Sequence, residues 1–342
     1  MGRNLHRRHA VMHKKAFIFL QTFFILFSAS ASALNERSGY KDLFSDGVNK
    51  NEVMLCIENG RKTHTTNELC RILKDSVQYR AYIRKRLREE NMPSCIEYLP
   101  LIESNYKPTA KPANGESMGI WQFMPNSVFP FMELSEYVDE RRDPWISTDS
   151  ALKKLKENYS LFNDWLLALA AYNCGSGAVM RALENSEEKN FSSLCRQELI
   201  PMHARQYVPN FLKIADLIEN ALFYEETKIY EASCIFDTTC NAADSSTNLS
   251  EKEPDPTFFY YDFDYVTVAA NISLKSLAKE LRLDYQILKN LNLSLVKEQT
   301  PPDRKYRLRL PAGMALSCKD ALFAINNRQK NTENKKENLN SN

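Results

Sequence analysis

The stretch that most restricts the fold is Trp165-Leu166-Leu167-Ala168-Leu169-Ala170-Ala171, seven consecutive apolar residues. Within a helix over Asp164 to Tyr172 the run is apolar on every side. A helix with no polar face is buried all round, so others must enclose it. Helical spacing of apolar residues is found on both sides, over Thr148 to Tyr159, Gly177 to Leu183 and Ala204 to Phe223. The main body is therefore expected to be all-α. Gly175 and Gly177, just past the buried helix, point to a tight turn at a cleft.

Upstream, Thr65 and Glu68 have capping-box spacing. Leu69, Ile72, Leu73, Val77, Ile83 and Leu87 then recur at helical intervals, ending at Met92-Pro93. Ser94 and Glu97 repeat the capping-box spacing and open a helix through Ile96, Leu99 and Glu103, with Pro100 a potential kink. The basic tract Arg80 to Arg88 is read as the solvated face of a helix. Residues 34–64 are polar, mixed and expected to be weakly structured.

Downstream, Thr238 to Pro256 is rich in Ser, Thr, Asn, Asp, Glu and Pro, the composition of a linker. The expected order is therefore a helical domain over 65–237, a linker over 238–257 and a small module over 258–318. Within the module, Tyr265 to Val268 and Tyr306 to Leu310 read as strands, and Leu274 to Leu281 and Tyr285 to Leu291 as helices. The tether makes this module separable. Residues 319–342 form a C-terminal end expected to be disordered from about 326.

The N-terminus bears on compartment. Arg3, Arg7, Arg8, Lys14 and Lys15 precede an apolar run from Ala16 to Phe27, then Ser-Ala repeats. Residues 1–33 thus read as a Sec-type secretory signal, implying a periplasmic or envelope location. The run is well short of the about 20 residues that span a bilayer. Removing those five positive charges takes the net charge from +2 to −3, which excludes an overall basic footprint for nucleic acid. Eight cysteines in an exported chain permit disulfides, with Cys56 and Cys70, and Cys234 and Cys240, the close pairs. No CxxC or HExxH occurs, so no metal site or cofactor is expected.

Glu103 is the candidate catalytic group. Ile96, Leu99 and Glu103 fall at i, i+3 and i+7, placing the carboxyl on an apolar stripe. Loss of hydration raises a carboxyl pKa and keeps it protonated near neutrality, ready to donate to a leaving-group oxygen. A like-charged Glu116 nearby would raise it further. Glu116 and Asp143 are also the open candidates for a second carboxylate.

The words around Glu103 fit this chemistry. Glu103-Ser104-Asn105-Tyr106-Lys107-Pro108, Gly119-Ile120-Trp121-Gln122-Phe123-Met124-Pro125, Ala170-Ala171-Tyr172-Asn173-Cys174-Gly175-Ser176-Gly177 and Gln206-Tyr207-Val208-Pro209 occur in the order found in the lytic transglycosylase family. The resemblance covers roughly Met92 to Phe223 and implies a goose-lysozyme-like α-helical catalytic domain acting on peptidoglycan glycan strands. By that resemblance Glu103 is both acid and base, breaking the bond between N-acetylmuramic acid and N-acetylglucosamine and leaving a 1,6-anhydromuramoyl end. It also implies a substrate cleft formed by Ser104, Gln122, Met124, Tyr172, Asn173 and Tyr207. For Met124 and Tyr172, core packing is the competing reading, and Trp121 is read as structural.

The chain departs from the family pattern where Pro112 replaces a serine and where the loop to Gly119 is one residue longer, with Glu116 and Ser117 in place of small apolar residues. Tyr265-Val266-Thr267-Val268, Ser273-Leu274-Lys275-Ser276-Leu277-Ala278 and Leu308-Arg309-Leu310-Pro311 resemble a degenerate LysM module, a small α+β peptidoglycan-binding fold. A monomer is expected, with other cell-wall enzymes as unassigned partners. Two further functions share these residues, a lysozyme-like muramidase and a non-catalytic peptidoglycan-binding protein.

Overall fold

The computed structural model describes residues 43, 50–113, 115–220 and 263–340. The expected secretory signal, the linker and the Cys234/Cys240 pair lie outside these residues. What is described is mostly helical, with one two-stranded antiparallel sheet in the C-terminal region.

The buried helix is there: α6 (Trp165–Cys174) has Trp165 to Ala171 all at most 3% exposed. Asp164 starts it, accepting from the N–H groups of Leu166 and Leu167. Around it lie α5 (Pro144–Phe162), α7 (Ser176–Glu184) and α9 (Met202–Asn220). A short helix the sequence reading missed, α8 (Phe191–Arg196), is capped by Asn190 and buries Phe191 and Leu194.

The region 34–64 holds more structure than expected. Helix α1 (Lys50–Asn59) buries Val53, Cys56 and Ile57 and packs on α9. Its Glu52 accepts from the backbone N–H of Ser192 at 2.6 Å. One apolar stripe sufficed to dock it, although its mixed composition gave little periodic signal. Cys56 carries no disulfide.

The capping box at Thr65 and Glu68 is formed. The helix it opens is two: α2 (Thr66–Asp75) and α3 (Val77–Glu89), divided at Ser76, whose hydroxyl donates to the carbonyl of Ile72. The basic tract is not simply a solvated face. Arg80 and Arg84, one turn apart, are buried and both donate to Glu97, while Arg86 bonds Glu90 and Asp149. That explains why Ser94 and Glu97 form no capping box: Glu97 turns to the two guanidinium groups, and residues Ser94–Tyr98 form a 3₁₀ turn. Pro100 occupies the first turn of α4 (Leu99–Ser104), where its missing N–H costs nothing, so it starts the helix instead of kinking it.

In the C-terminal unit, β1 (Phe263–Val268) pairs antiparallel with β2 (Tyr306–Pro311), Val266 opposite Leu308. Helices α10 (Leu274–Leu281) and α11 (Tyr285–Leu291) match their expected bounds. Val266, Val268, Leu308 and Leu310 join Leu274, Leu277 and Leu288 in one core. That core continues past residue 318 into α12 (Ala315–Asn340), through Cys318, Ala321 and Ile325. The backbone is helical where disorder was expected from about 326. The segment contains no glycine or proline, and its polar residues include many good helix formers.

The unit is not merely tethered. Its sheet face lies against the start of α5, where Arg309 pairs with Asp143, both almost fully buried. Asp143 caps α5 with its other oxygen, accepting from Trp145 and Ile146. The Trp145 and Phe263 rings meet edge to face at 4.8 Å, and the backbone N–H groups of Asp139 and Val296 bond to the carbonyls of Ser294 and Tyr137. Val138 is buried in the module's core. These contacts dock the module on the helical domain, an interface the sequence reading did not anticipate.

Candidate active site

Glu103 stands in the last turn of α4, which Asn105 and Tyr106 end with left-handed backbone at φ +52° and +56°. Leu99 and Leu101 are buried below it. Ser104 ties this helix to the Gly119–Met124 loop, donating to the carbonyl of Ile120 at 2.9 Å.

That loop is tightly held. Gly119 has φ +87°, and a Cβ there would lie 1.8 Å from the backbone oxygen of Arg141. Met118 and Phe123 bridge across the turn. Arg141, fixed by Asp139, donates to the carbonyls of Glu116 and Phe123. Gln122, at φ +51°, spends its amide inside the loop: its nitrogen donates to the carbonyls of Ala110 and Gly119, and its oxygen accepts from Ser117. Trp121 is fully buried and donates to Thr148, the structural place expected of it.

The other expected residues arrive from two distant helices. Tyr207 on α9 donates its hydroxyl to Oε1 of Glu103. Tyr172, in the last turn of α6, donates to the carbonyl of Trp121 at 2.9 Å, and its ring meets Phe123 edge to face at 6.2 Å. Asn173 follows, its side-chain oxygen buried without a hydrogen-bond partner. Gly175, at φ +88°, turns the chain there into α7. Met124 is 43% exposed, which decides against core packing.

Sequence reasoning missed Lys154. On α5, its ammonium lies 5.7 Å from the Phe123 ring centre and 5.4 Å from that of Tyr172. A lysine within the helical period carried no distinguishing signal; only the fold turns it toward this cluster.

The electrostatics follow from burial. Desolvation pushes the Glu103 carboxyl from 4.5 to about 7, against the opposing pull of the Tyr207 hydrogen bond and the Lys154 charge. Burial and the charge of Glu103 hold the hydroxyls of Tyr172 and Tyr207 well above 10, so both stay protonated donors. Burial lowers Lys154 from 10.5, while Glu103 and Glu157 support its charge.

Neither candidate for a second carboxylate joins the site. Asp143 is committed to capping α5 and to Arg309, and Glu116 is exposed and not among the groups acting on Glu103. The expected tuning of Glu103 by Glu116 is therefore replaced by Tyr207 and Lys154. A separate cavity of about 370 Å³, between the helical domain and the module, is lined by residues such as Tyr82, Trp145, Tyr265 and Arg309 and by none of this cluster. A desolvated carboxyl with a pKa of about 7 beside a tyrosine donor suits acid–base chemistry near neutrality.

Residues 80–195 match the family model of the transglycosylase SLT domain, and residues 262–327 that of the lytic transglycosylase MltD, LysM-like domain. The chain is 32% identical over 148 residues to membrane-bound lytic murein transglycosylase D of Escherichia coli (strain K12), covering 43% of this chain and 32% of that protein. The protein of the same name from E. coli O6:H1 gives the same figures. The chain thus spans about a third of the length of these relatives in the matched region. The mainly helical domain and the small α+β module are the architecture expected from the sequence.

Proposed function

We propose that this chain, with its SLT domain and LysM-like module, is a peptidoglycan lytic transglycosylase of the cell envelope. The observation that carries the reading is the Glu103 carboxyl, desolvated to about 7 and bonded by Tyr207. Near neutrality such a group is present in both protonation states, as a residue serving first as acid and then as base requires.

The protonated carboxyl gives its proton to the oxygen linking N-acetylmuramic acid C1 to N-acetylglucosamine C4. The C1–O bond breaks, and the substrate's acetamido oxygen closes on C1 to hold the positive charge. This is the substrate-assisted exception to the two-carboxylate scheme, in keeping with the absence of a second carboxyl acting on Glu103 among the described residues. Glu103, now ionised, takes the proton of the C6 hydroxyl, whose oxygen displaces the acetamido group. The 1,6-anhydro ring forms, no water is consumed, and Glu103 is again protonated.

The remaining residues divide between contact and support. The unpartnered oxygen of Asn173 accepts from a glycan hydroxyl or acetamido N–H, and Met124 gives apolar contact. Tyr207 orients the carboxyl. Ser104, Gln122 and Tyr172 hold the loop that walls the cleft, their polar atoms being engaged within the protein. Mass spectrometry of digested peptidoglycan tests the reading: anhydromuramoyl ends are expected, whereas reducing muramic acid ends would establish a hydrolase.

A further inference from the structure

Three lysines on α5 have different surroundings. Lys156 pairs with Glu90 at 2.6 Å, and Lys153 is exposed, over the ring of Phe131. Lys154 is half-buried against Phe123 and Tyr172, and among the described residues no hydrogen-bond acceptor or ion-pair partner meets its ammonium. An ammonium carries three donors, and withdrawing it from water without partners is costly. Two ring faces offset part of that cost but occupy none of the donors. One residue past Tyr172 on α6, Asn173 holds a buried acceptor that likewise has no partner among the described residues. A donor over the Tyr172 ring and an acceptor on the next residue of α6 are both left open, which suits a ligand with a group of each kind.

We propose that Lys154 binds a carboxylate of the muramoyl residue and so selects which glycan enters the cleft. The inference rests on the reading of the substrate as peptidoglycan. The sugar backbone of that polymer offers hydroxyls and acetamido groups, all neutral. Its anionic groups stem from the lactyl ether of muramic acid: the lactyl carboxylate where no peptide is attached, or the carboxylates of an attached peptide. Lys154 provides the charge that either source needs. It also prevents a bound carboxylate from raising Glu103 further, since a like charge beside a desolvated carboxyl disfavours ionisation, and Glu103 has to ionise to act as base.

The test compares the full-length protein with Lys154→Met and Lys154→Arg on peptide-free glycan, on peptide-bearing glycan and on chitohexaose, which has no carboxylate. Cleavage is followed as kcat/KM for the two glycans, and chitohexaose as a competitive inhibitor. Binding of all three is also measured in a Glu103→Gln background, so the result does not depend on turnover or on the identity of the product. Lys154→Met is expected to weaken at least one glycan about tenfold or more, the scale of a hydrogen bond to a charged group, mainly through KM. Chitohexaose affinity should stay within about twofold, and Lys154→Arg should restore most of the loss. A loss confined to peptide-free glycan assigns the lactyl carboxylate, and one confined to peptide-bearing glycan assigns the peptide. Equal weakening of all three ligands, or no change for either glycan, overturns the proposal. Wild-type protein that binds and discriminates these glycans but forms no anhydro ends would leave Lys154 in place and overturn the transglycosylase reading instead.

Discussion

Replacing Glu103 with glutamine should abolish turnover and, above neutral pH, make the protein more stable. The structure gives the size of the second effect. In the unfolded chain the carboxyl ionises near 4.5, and in the folded protein near 7. Folding therefore favours the protonated form. Stability contributed by this group is fully present below 4.5, is lost as pH rises from there through about 7, and is then level. At about 1.4 kcal/mol per pH unit, the ionised carboxyl costs the folded state about 3 kcal/mol above pH 8. Glutamine carries no charge to desolvate, and its side-chain oxygen can accept the Tyr207 hydroxyl as Oε1 does. For a domain of this size, about 3 kcal/mol corresponds to a Tm higher by roughly 6–12 °C. The assay is thermal unfolding of both proteins at pH 4.5 and pH 8.5, alongside muropeptide release from purified sacculi. The expected result is matching Tm values at the acid pH, a clear advantage for the variant at the alkaline pH, and loss of release by at least about a hundredfold at both. A Tm difference that does not change with pH would refute the desolvation of Glu103. Near-normal release by a folded variant would refute its role as acid and base.

Release by the wild-type protein should fall as pH rises through about 7, because the first step needs the protonated carboxyl. Tyr207→Phe removes a hydrogen bond that lowers that pKa, so the alkaline limb should move to higher pH while maximal release drops; a pH–rate series on sacculi measures both. Arg309→Met leaves Asp143 buried without its partner and should cost about 3–5 kcal/mol in urea unfolding. The double variant Arg309→Met with Asp143→Asn should recover much of this, because the amide still caps α5; no recovery would mean that the cation–aromatic contacts of Arg309 hold the interface. Gly119→Ala, which sets a methyl against the Arg141 carbonyl in left-handed backbone, should lower Tm by several degrees and raise KM, as read by thermal unfolding and kinetics.

Much of the helical domain was legible in the chain. An apolar run without a polar face can only be central, and α6 is. The Thr65–Glu68 pair sits next to its helix in sequence, and it caps it. The bounds of α10 and α11 were legible for the same reason, since capping residues and apolar spacing act within one or two turns. The role of Glu103 could be argued from its stripe of apolar neighbours and from motif order. Groups that meet across long sequence separations were another matter. Glu97 had the spacing of a cap, but Arg80 and Arg84 outbid the backbone for it. Arg309 and Asp143, 166 residues apart, gave no sign of pairing, and that pair docks the module on the helical domain. The hydrogen bonds by which Gln122 and Ser104 tie the loop together, to the carbonyls of Gly119 and Ile120, were not legible in the sequence either. Lys154 was one lysine among several on an amphipathic helix until tertiary packing set it over Phe123 and Tyr172, within the field of Glu103. Local periodicity and capping follow from backbone geometry, which neighbouring residues settle among themselves. The partner of a buried charge is settled only when the whole chain has folded, because desolvation and Coulomb attraction depend on distance in space and not on position in sequence.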